Sequence, residues 1–341
     1  MPDRESLRRD FLDISGWSEA ERMDLAGDAS NRRYFRLMLE GTPAVLMDAP
    51  PEKGEDVRPF IKIAQVLRSA GLSAPEIMAE DRENGFLLLE DLGDDLFARV
   101  LTKDPAMEEQ LYQAATDVLI TLHNAPIDKN LAPYDGPMMA DLARLAFDWY
   151  ATVISGQDLS DVRSKFVAGF QEAVGHLTDM TDVLIQRDYH AENLLWRPDR
   201  DGVARVGLLD FQDAMAGHRS YDLVSLLQDA RRDVSPAIEA QMIDYYIKAT
   251  GLDPSEFKSA YALMGLQRNL RIIGVFARLC LRDGKSHYVD LIPRVWAHML
   301  RDLKSVNFTY LETVLTDYLP HPDASSLKVL KSKCGTIPHP P

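Results

Sequence analysis

The chain has 341 residues, 46% hydrophobic and 27% charged, which suits one large globular domain or two ordinary ones. With 38 Lys and Arg against 53 Asp and Glu, the net charge is −15, which argues against a nucleic-acid partner, because such partners are held by a basic, phosphate-neutralising surface. The two cysteines, Cys280 in an apolar run and Cys334 in a Pro-rich tail, are too few for a disulfide framework and read as free thiols. No signal-like apolar region opens the chain and no run approaches the ~18 apolar residues of a membrane span, so a cytoplasmic location without a membrane partner is expected.

Residues 34–39 and 43–48 are short apolar runs separated by Glu40-Gly41-Thr42, the pattern of a hairpin with a longer turn. In 57–70 the apolar positions Phe60, Ile61, Ile63, Ala64 and Leu67 predict an amphipathic helix ended by Gly71. Residues 85–90 (GFLLLE) read as a further buried strand. Residues 1–90 therefore form a small α+β lobe, and 91–105 serve as linker. From Met107 through Leu111, Ala115, Val118, Leu119 and Leu122 the spacing becomes helical and stays so to about residue 318. The exception is 183–211, where three strand-like runs surround polar loops. A larger, mainly helical lobe is thus expected over 106–320, and 321–341 reads as a loosely held tail.

No zinc spacing, nucleophile elbow or dinucleotide fingerprint is present. Gly284-Lys285-Ser286 resembles the end of a Walker loop, but Leu279 replaces its first glycine and the segment follows a helical run. The informative stretch is LIQRDYHAENLLWRPDRDGVARVGLLDFQDA, residues 184–213. Asp188 and Asn193 are five apart, Asn193 precedes one strand-like run, and Asp210 follows another. Adjacent strands would gather three oxygen donors around one point. Such donors suit Mg²⁺, which keeps waters and shares phosphate oxygens. A carboxylate not used by metal can accept a hydroxyl proton, and this is the layout of phosphoryl transfer. Asp222, opening an amphipathic helix, is expected either to accept backbone N–H bonds from the loop around Asp188 or simply to stabilise the helix start through its dipole. His190 and His218 lack metal spacing and read as loop hydrogen-bonding residues.

In order, LAGDASNRRYFRL, FLLLEDLGDDLF, QRDYHAENLLW and GLLDFQDAMAGHRSYDLVSLL resemble the nucleotide loop, hinge, catalytic loop and metal-binding loop of the aminoglycoside phosphotransferase (kinase-like) family. The resemblance runs from residue 23 to about 300. It implies a protein-kinase-like two-lobe α+β fold, with a small antiparallel-sheet lobe before a larger helical one. It implies ATP and Mg²⁺ as cofactors, Asp188 as catalytic base, and Asn193 and Asp210 as metal ligands. It further implies phosphate contacts from Gly27, Ser30 and Asn31, and a nucleotide-binding hinge around Glu90 and Leu92.

One departure is Met47, which stands where such kinases carry a phosphate-pairing strand lysine. Lys53, Arg32 and Arg33 are candidate substitutes, and a non-catalytic nucleotide-binding protein is the alternative. In 261–282, Gln267, Arg268, Arg271, Arg278 and Arg282 share one helical stripe. It pairs either with internal carboxylates such as Asp222 or Asp229, or with a substrate anion through Arg268 and Arg271. LAGDASNRRYFRL, VLMDAPPEKGEDVRPF and LQRNLRIIGVFARLCLRDGK resemble the branch of cell-wall-recycling kinases that phosphorylate the anomeric hydroxyl of N-acetylmuramate and N-acetylglucosamine. The expected partner is a small-molecule sugar, with no protein partner implied. The other acceptors left open are further hydroxylated molecules, including aminoglycosides.

Overall fold

A computed structural model describes residues 3–25, 31–177, 181–306 and 308–337. The chain opens with α1 (Arg4–Ile14), β1 (Glu21–Asp24), β2 (Arg33–Leu39), β3 (Thr42–Asp48) and α2 (Arg58–Ser69). Then come β4 (Ile77–Asp81), β5 (Phe86–Glu90), α3 (Phe97–Lys103) and α4 (Glu108–Asn124). Next are α5 (Gly136–Ala143), α6 (Thr152–Ser155), α7 (Ser160–Gly175), β6 (Val183–Ile185), β7 (Leu194–Trp196), β8 (Val206–Leu208) and β9 (Met215–Gly217). The rest is helical: α8 (Tyr221–Leu227), α9 (Pro236–Thr250), α10 (Pro254–Leu281), α11 (Ile292–Ser305), α12 (Thr309–Tyr318) and α13 (Ala324–Ser332). None of the described helices is long and apolar enough to cross a membrane.

Two compact units emerge, and neither is one continuous stretch. The first holds residues 1–125 and 191–214, and the second 126–190 and 215–341. The first unit is built on an antiparallel sheet in the order β1-β2-β3-β5-β4. Strand side chains alternate between faces. Phe35, Leu37, Ala44, Leu46, Phe86 and Leu88 therefore share one face, where they pack with Phe11 and Leu12 of α1 and with Trp17. The opposite face carries Tyr34, Arg36, Val45, Met47 and Leu89 and forms a cavity wall. Arg4 pins α1 to buried Asp48 at 2.6 Å and lies 3.9 Å over the Phe86 ring. The β2–β3 turn is shorter than expected. Leu39 pairs with Thr42, and Glu40 and Gly41 (φ 50° and 82°) both take the left-handed conformation that a two-residue hairpin turn requires.

The segment 191–214 belongs to the same unit because its ribbon, β7 paired antiparallel with β8, is bonded to the sheet lobe. Leu208 N–H donates to Ser73 O at 2.9 Å, Trp196 N–H to Asp95 O at 2.7 Å, and Ser73 Oγ to Ala204 O at 2.7 Å. The Phe60 and Phe211 rings meet at a tilt with centroids 4.7 Å apart, joining the buried face of α2 to the end of the ribbon.

In the second unit the 28-residue α10 is the central packing element, with nineteen buried residues. Its Gly274 meets the backbone of Leu145 so closely that a Cβ there would lie 2.3 Å from Leu145 C. The expected tail instead folds onto α10. α13 buries Leu330, Gly335 N–H donates to Cys280 O at 2.9 Å, and Ile337 N–H to Leu281 O at 3.1 Å. Leu330 supplies the apolar anchor and the C-terminal carbonyls of α10 supply the acceptors. Both cysteines are free thiols.

Alanine favours helix over glycine by about 1 kcal/mol, yet Gly274→Ala should destabilise the protein by ~1–3 kcal/mol, because overpacking against fixed backbone outweighs propensity. A lower urea midpoint with an unchanged slope checks this.

Candidate active site

Within the first unit a cavity of about 490 Å³ lies against the open face of the sheet, a volume in the range of small-ligand sites. Its apolar wall includes Val45, Met47, Phe60 and Leu89. Glu90, Asp91 and Leu92 form one edge, and Asn193 and Asp210 another. The ribbon explains why those two meet: Asn193 precedes β7, Asp210 follows β8, and Leu209 N–H donates to Asn193 O at 3.0 Å. Asp210 has φ 56°, a conformation that side-chain-bearing residues rarely adopt, and Gln212 Nε2 donates to its Oδ1 at 2.7 Å. Strain of this kind clusters at functional sites. A partly exposed amide oxygen and a carboxylate at one ribbon end fit a hard divalent cation of the Mg²⁺ type, which needs few protein ligands. Among the described residues, no three His, Cys, Asp or Glu side chains form a metal cage.

The other expected nucleotide residues have varied placements. Gly27 and Ser30 lie outside the described residues. Asn31 is exposed; its backbone N–H donates to Glu55 Oε1 at 2.9 Å and its Nδ2 to Lys53 O at 3.2 Å. Leu92 is buried in the cavity wall. The Glu90 carboxylate is occupied by arginines, bonded to Arg200 and 3.6 Å from Arg197, so it ties the sheet to the ribbon loop. Arg36 is a site residue that sequence reasoning misses. It forks onto Asp91 at 2.6 and 3.1 Å and reaches Asp94 at 2.7 Å, bracing the segment after β5. A lone arginine inside the run YFRLML is the one signal that could reveal it.

The second unit holds Asp188. Its loop is fixed by Asp222, which is fully buried at the start of α8. Asp222 accepts Gln186 N–H at 2.6 Å and Arg187 N–H at 2.9 Å. Burial pushes the Asp222 carboxyl up to about 7, against the two N–H bonds that favour its ionised form; the charge of Asp188 adds to the rise. Arg187 is held at φ 72°, and Ser225 Oγ, 3.4 Å away, donates to its carbonyl. The next residue, Asp188, is partly exposed. Burial would raise its carboxyl, but Arg271 and Arg268 outweigh this, with His190 and Arg187 adding, and hold it below the usual carboxylate range. His190 is pushed down to about 4, chiefly by burial, and is neutral at pH 7.

Two arginines of the α10 stripe, Arg271 and Arg268, thus act on Asp188. Arg268 is 4% exposed and donates to Ser225 Oγ at 2.7 Å. Arg271, partly exposed, lies 3.5 Å from the Tyr221 hydroxyl, which is 3.2 Å from that of Tyr134. Arg282 is consumed by Asp283 at 2.8 Å. The tyrosine pair leaves no mark in the sequence, because Tyr134 and Tyr221 are 87 residues apart.

The phosphotransferase enzyme family matches residues 22–257, more than half of the chain. The chain belongs to that family. An N-acetylmuramate/N-acetylglucosamine kinase of Caulobacter vibrioides is 38% identical over 345 residues, covering 87% of this chain and 92% of that protein. A Pseudomonas aeruginosa protein of the same name is 38% identical over 295 residues, covering 83% and 85%. Among solved structures, a spectinomycin phosphotransferase in complex with ADP and spectinomycin has TM-score 0.55 at 14% identity, covering 96% of this chain and 98% of that one. The chain is therefore a phosphotransferase with the aminoglycoside-phosphotransferase fold, an antiparallel-sheet lobe followed by a helical one.

Asp222→Asn keeps the side chain's shape but can accept only one of the two N–H bonds. Because Asp222's folded value lies above the unfolded 3.8, the folded state keeps that proton between about pH 4 and 7, and the group costs stability as pH rises through that window. Relative to Asp222→Asn, wild-type unfolding free energy should fall with pH there by at most ~1.4 kcal/mol per unit. Denaturant melts at pH 4.5 and 7 check the difference in slope.

Proposed function

We propose that this phosphotransferase is an ATP- and Mg²⁺-dependent kinase acting on the anomeric hydroxyl of an amino sugar of the N-acetylmuramate/N-acetylglucosamine type. The observation that carries the mechanism is Asp188: a partly exposed carboxylate kept ionised by two guanidinium groups, on a loop fixed by a buried clamp. Such a group orients an acceptor hydroxyl and takes its proton late in a loose transition state. Asn193 and Asp210 are the residues that would hold Mg²⁺, whose charge would offset that of the phosphate groups during transfer. The adenine side is assigned to the cavity edge at Asp91 and Leu92, which line the open face of the sheet. The sugar assignment draws on the two curated relatives named for that activity.

Of the two stripe arginines expected to meet substrate, Arg268 and Arg271, the partly exposed Arg271 is the stronger candidate, since Arg268 is 4% exposed. An arginine facing the acceptor suits the lactyl carboxylate of N-acetylmuramate better than it suits a polycationic aminoglycoside.

³¹P NMR of the protein with ATP, Mg²⁺ and a panel of amino sugars, aminoglycosides and choline tests the reading. A glycosyl 1-phosphate, acid-labile and non-reducing, is the expected product. A reducing 6-phosphate overturns the anomeric assignment, and turnover of an aminoglycoside alone overturns the sugar. Asp188→Asn should lower kcat by ~10²–10⁴-fold, the usual worth of a general base, with ATP affinity unchanged.

Arg271 also sets the acid limb of the pH profile. Without it, burial is opposed by fewer positive charges and the Asp188 carboxyl rises. The acid limb of kcat in Arg271→Ala should therefore move to higher pH than in wild type. If Arg271 also binds the lactyl carboxylate, KM should rise more for N-acetylmuramate than for N-acetylglucosamine.

A further inference from the structure

Strand β3 brings Met47, not a cation, to the cavity face of the sheet. Triphosphate binding needs positive charge near the metal-binding end. The cations lining the cavity are Arg36 and Arg99. Arg36 is already forked onto Asp91 and Asp94, and Arg99 is exposed with its Nη1 3.5 Å from Asp94 O. Both therefore belong to the Asp91–Asp94 edge rather than the Asp210 edge.

The register singles out another residue. Tyr34 pairs with Met47 and Arg36 with Val45, so even-numbered residues of β2 face the cavity. Arg32 stands one residue before β2, outside the cavity lining, just beyond the Tyr34–Met47 pair at that end of the sheet. Arg33 has the opposite parity, and Lys53 is exposed. Arg32 Nε lies 3.2 Å from Glu55 Oε2, and both side chains are largely buried, at 13% and 16% exposure. Glu55 also accepts Asn31 N–H at 2.9 Å, so the pair bridges the residues leading into β2 and α2. Burial works against the Arg32 charge, and the Glu55 carboxylate beside it offsets that cost. Arg32 is thus a guanidinium held by Glu55 at the end of the sheet where Tyr34 pairs with Met47.

We propose that Arg32, braced by Glu55, carries the positive charge to the nucleotide phosphates in place of the strand lysine. The inference rests on the ATP reading above. It makes Arg32–Glu55 the counterpart of a lysine–glutamate ion pair, with its cation moved from β3 to the entry of β2. A guanidinium can present two parallel N–H donors to phosphate oxygens while its Nε stays with Glu55.

The test is calorimetric binding of ATP and of adenosine to the full chain in the presence of Mg²⁺. The proteins compared are wild type, Arg32→Ala, Arg32→Lys and Glu55→Gln. Arg32→Ala should weaken ATP roughly ten- to hundred-fold, the worth of a charge-assisted contact, and leave adenosine within about two-fold. Arg32→Lys should recover part of the loss, and Glu55→Gln should weaken ATP more than adenosine. Equal losses for ATP and adenosine in Arg32→Ala, or no loss for ATP, overturn the arginine assignment. A wild-type protein that binds ATP no better than adenosine overturns the nucleotide reading itself.

Discussion

A carboxylate removed from water needs hydrogen-bond donors, and Asp222 finds two in successive backbone N–H groups at Gln186 and Arg187. The geometry around Asp188 follows from that pairing. With its amide committed to Asp222, Arg187 sits in the left-handed region, and the chain turns so that Asp188 emerges partly exposed. Ser225, one turn along the same helix, bonds the Arg187 carbonyl, and Arg268 bonds Ser225. The longest helix is thereby coupled through a short buried one to the loop that carries Asp188. That coupling explains why arginines with little solvent exposure lie beside Asp188: they keep it charged as well as lining its surroundings.

The first unit solves a different problem with the simplest device available to a sheet. Alternation sends Phe35, Leu37, Leu46 and Leu88 toward α1 and reserves Tyr34, Arg36, Val45 and Met47 for the cavity. A single-residue slip of β2 would exchange the two sets. Register is held by the tight Glu40-Gly41 turn at one end, and the Arg4–Asp48 ion pair anchors the other. Asp48 is nearly inaccessible, so its pairing counts for more than the exposed ion pairs elsewhere on the surface.

Much of this is legible in the amino-acid sequence alone, and what is not legible has a common cause. The β2–β3 hairpin, α2, β5 and the order Asp188, Asn193, Asp210 all rest on local patterning, and local patterning survives in one sequence. α1 escapes because its apolar Leu7, Phe11 and Leu12 are interleaved with Arg8, Arg9, Asp10 and Asp13, and its anchor Asp48 is 44 residues from Arg4. β4 escapes because an edge strand with only half-buried or exposed residues shows no apolar run. α13 escapes because a short segment among prolines gains its order only by docking on α10. In the candidate site, Asp222 is readable as a helix-start carboxylate facing a loop. The Arg32–Glu55 pair is not, because it joins two irregular segments whose proximity only the sheet and α2 create.

The division of the chain also bears on how the protein is made. Residues 191–214 complete the sheet-bearing unit, but they are synthesised after 126–190, which belong to the other unit. A nascent chain that has emerged through residue 125 still lacks the ribbon that supplies Phe211 to Phe60 and the partner of Ser73. The second unit in turn must wait for α10, which follows the ribbon by some forty residues. Neither half can therefore finish on the ribosome before the other has begun, and both approach their final packing late, nearly together. Cutting the chain at the visible change from strands to helices would not yield two folded pieces; it would separate each unit from the segment that closes it.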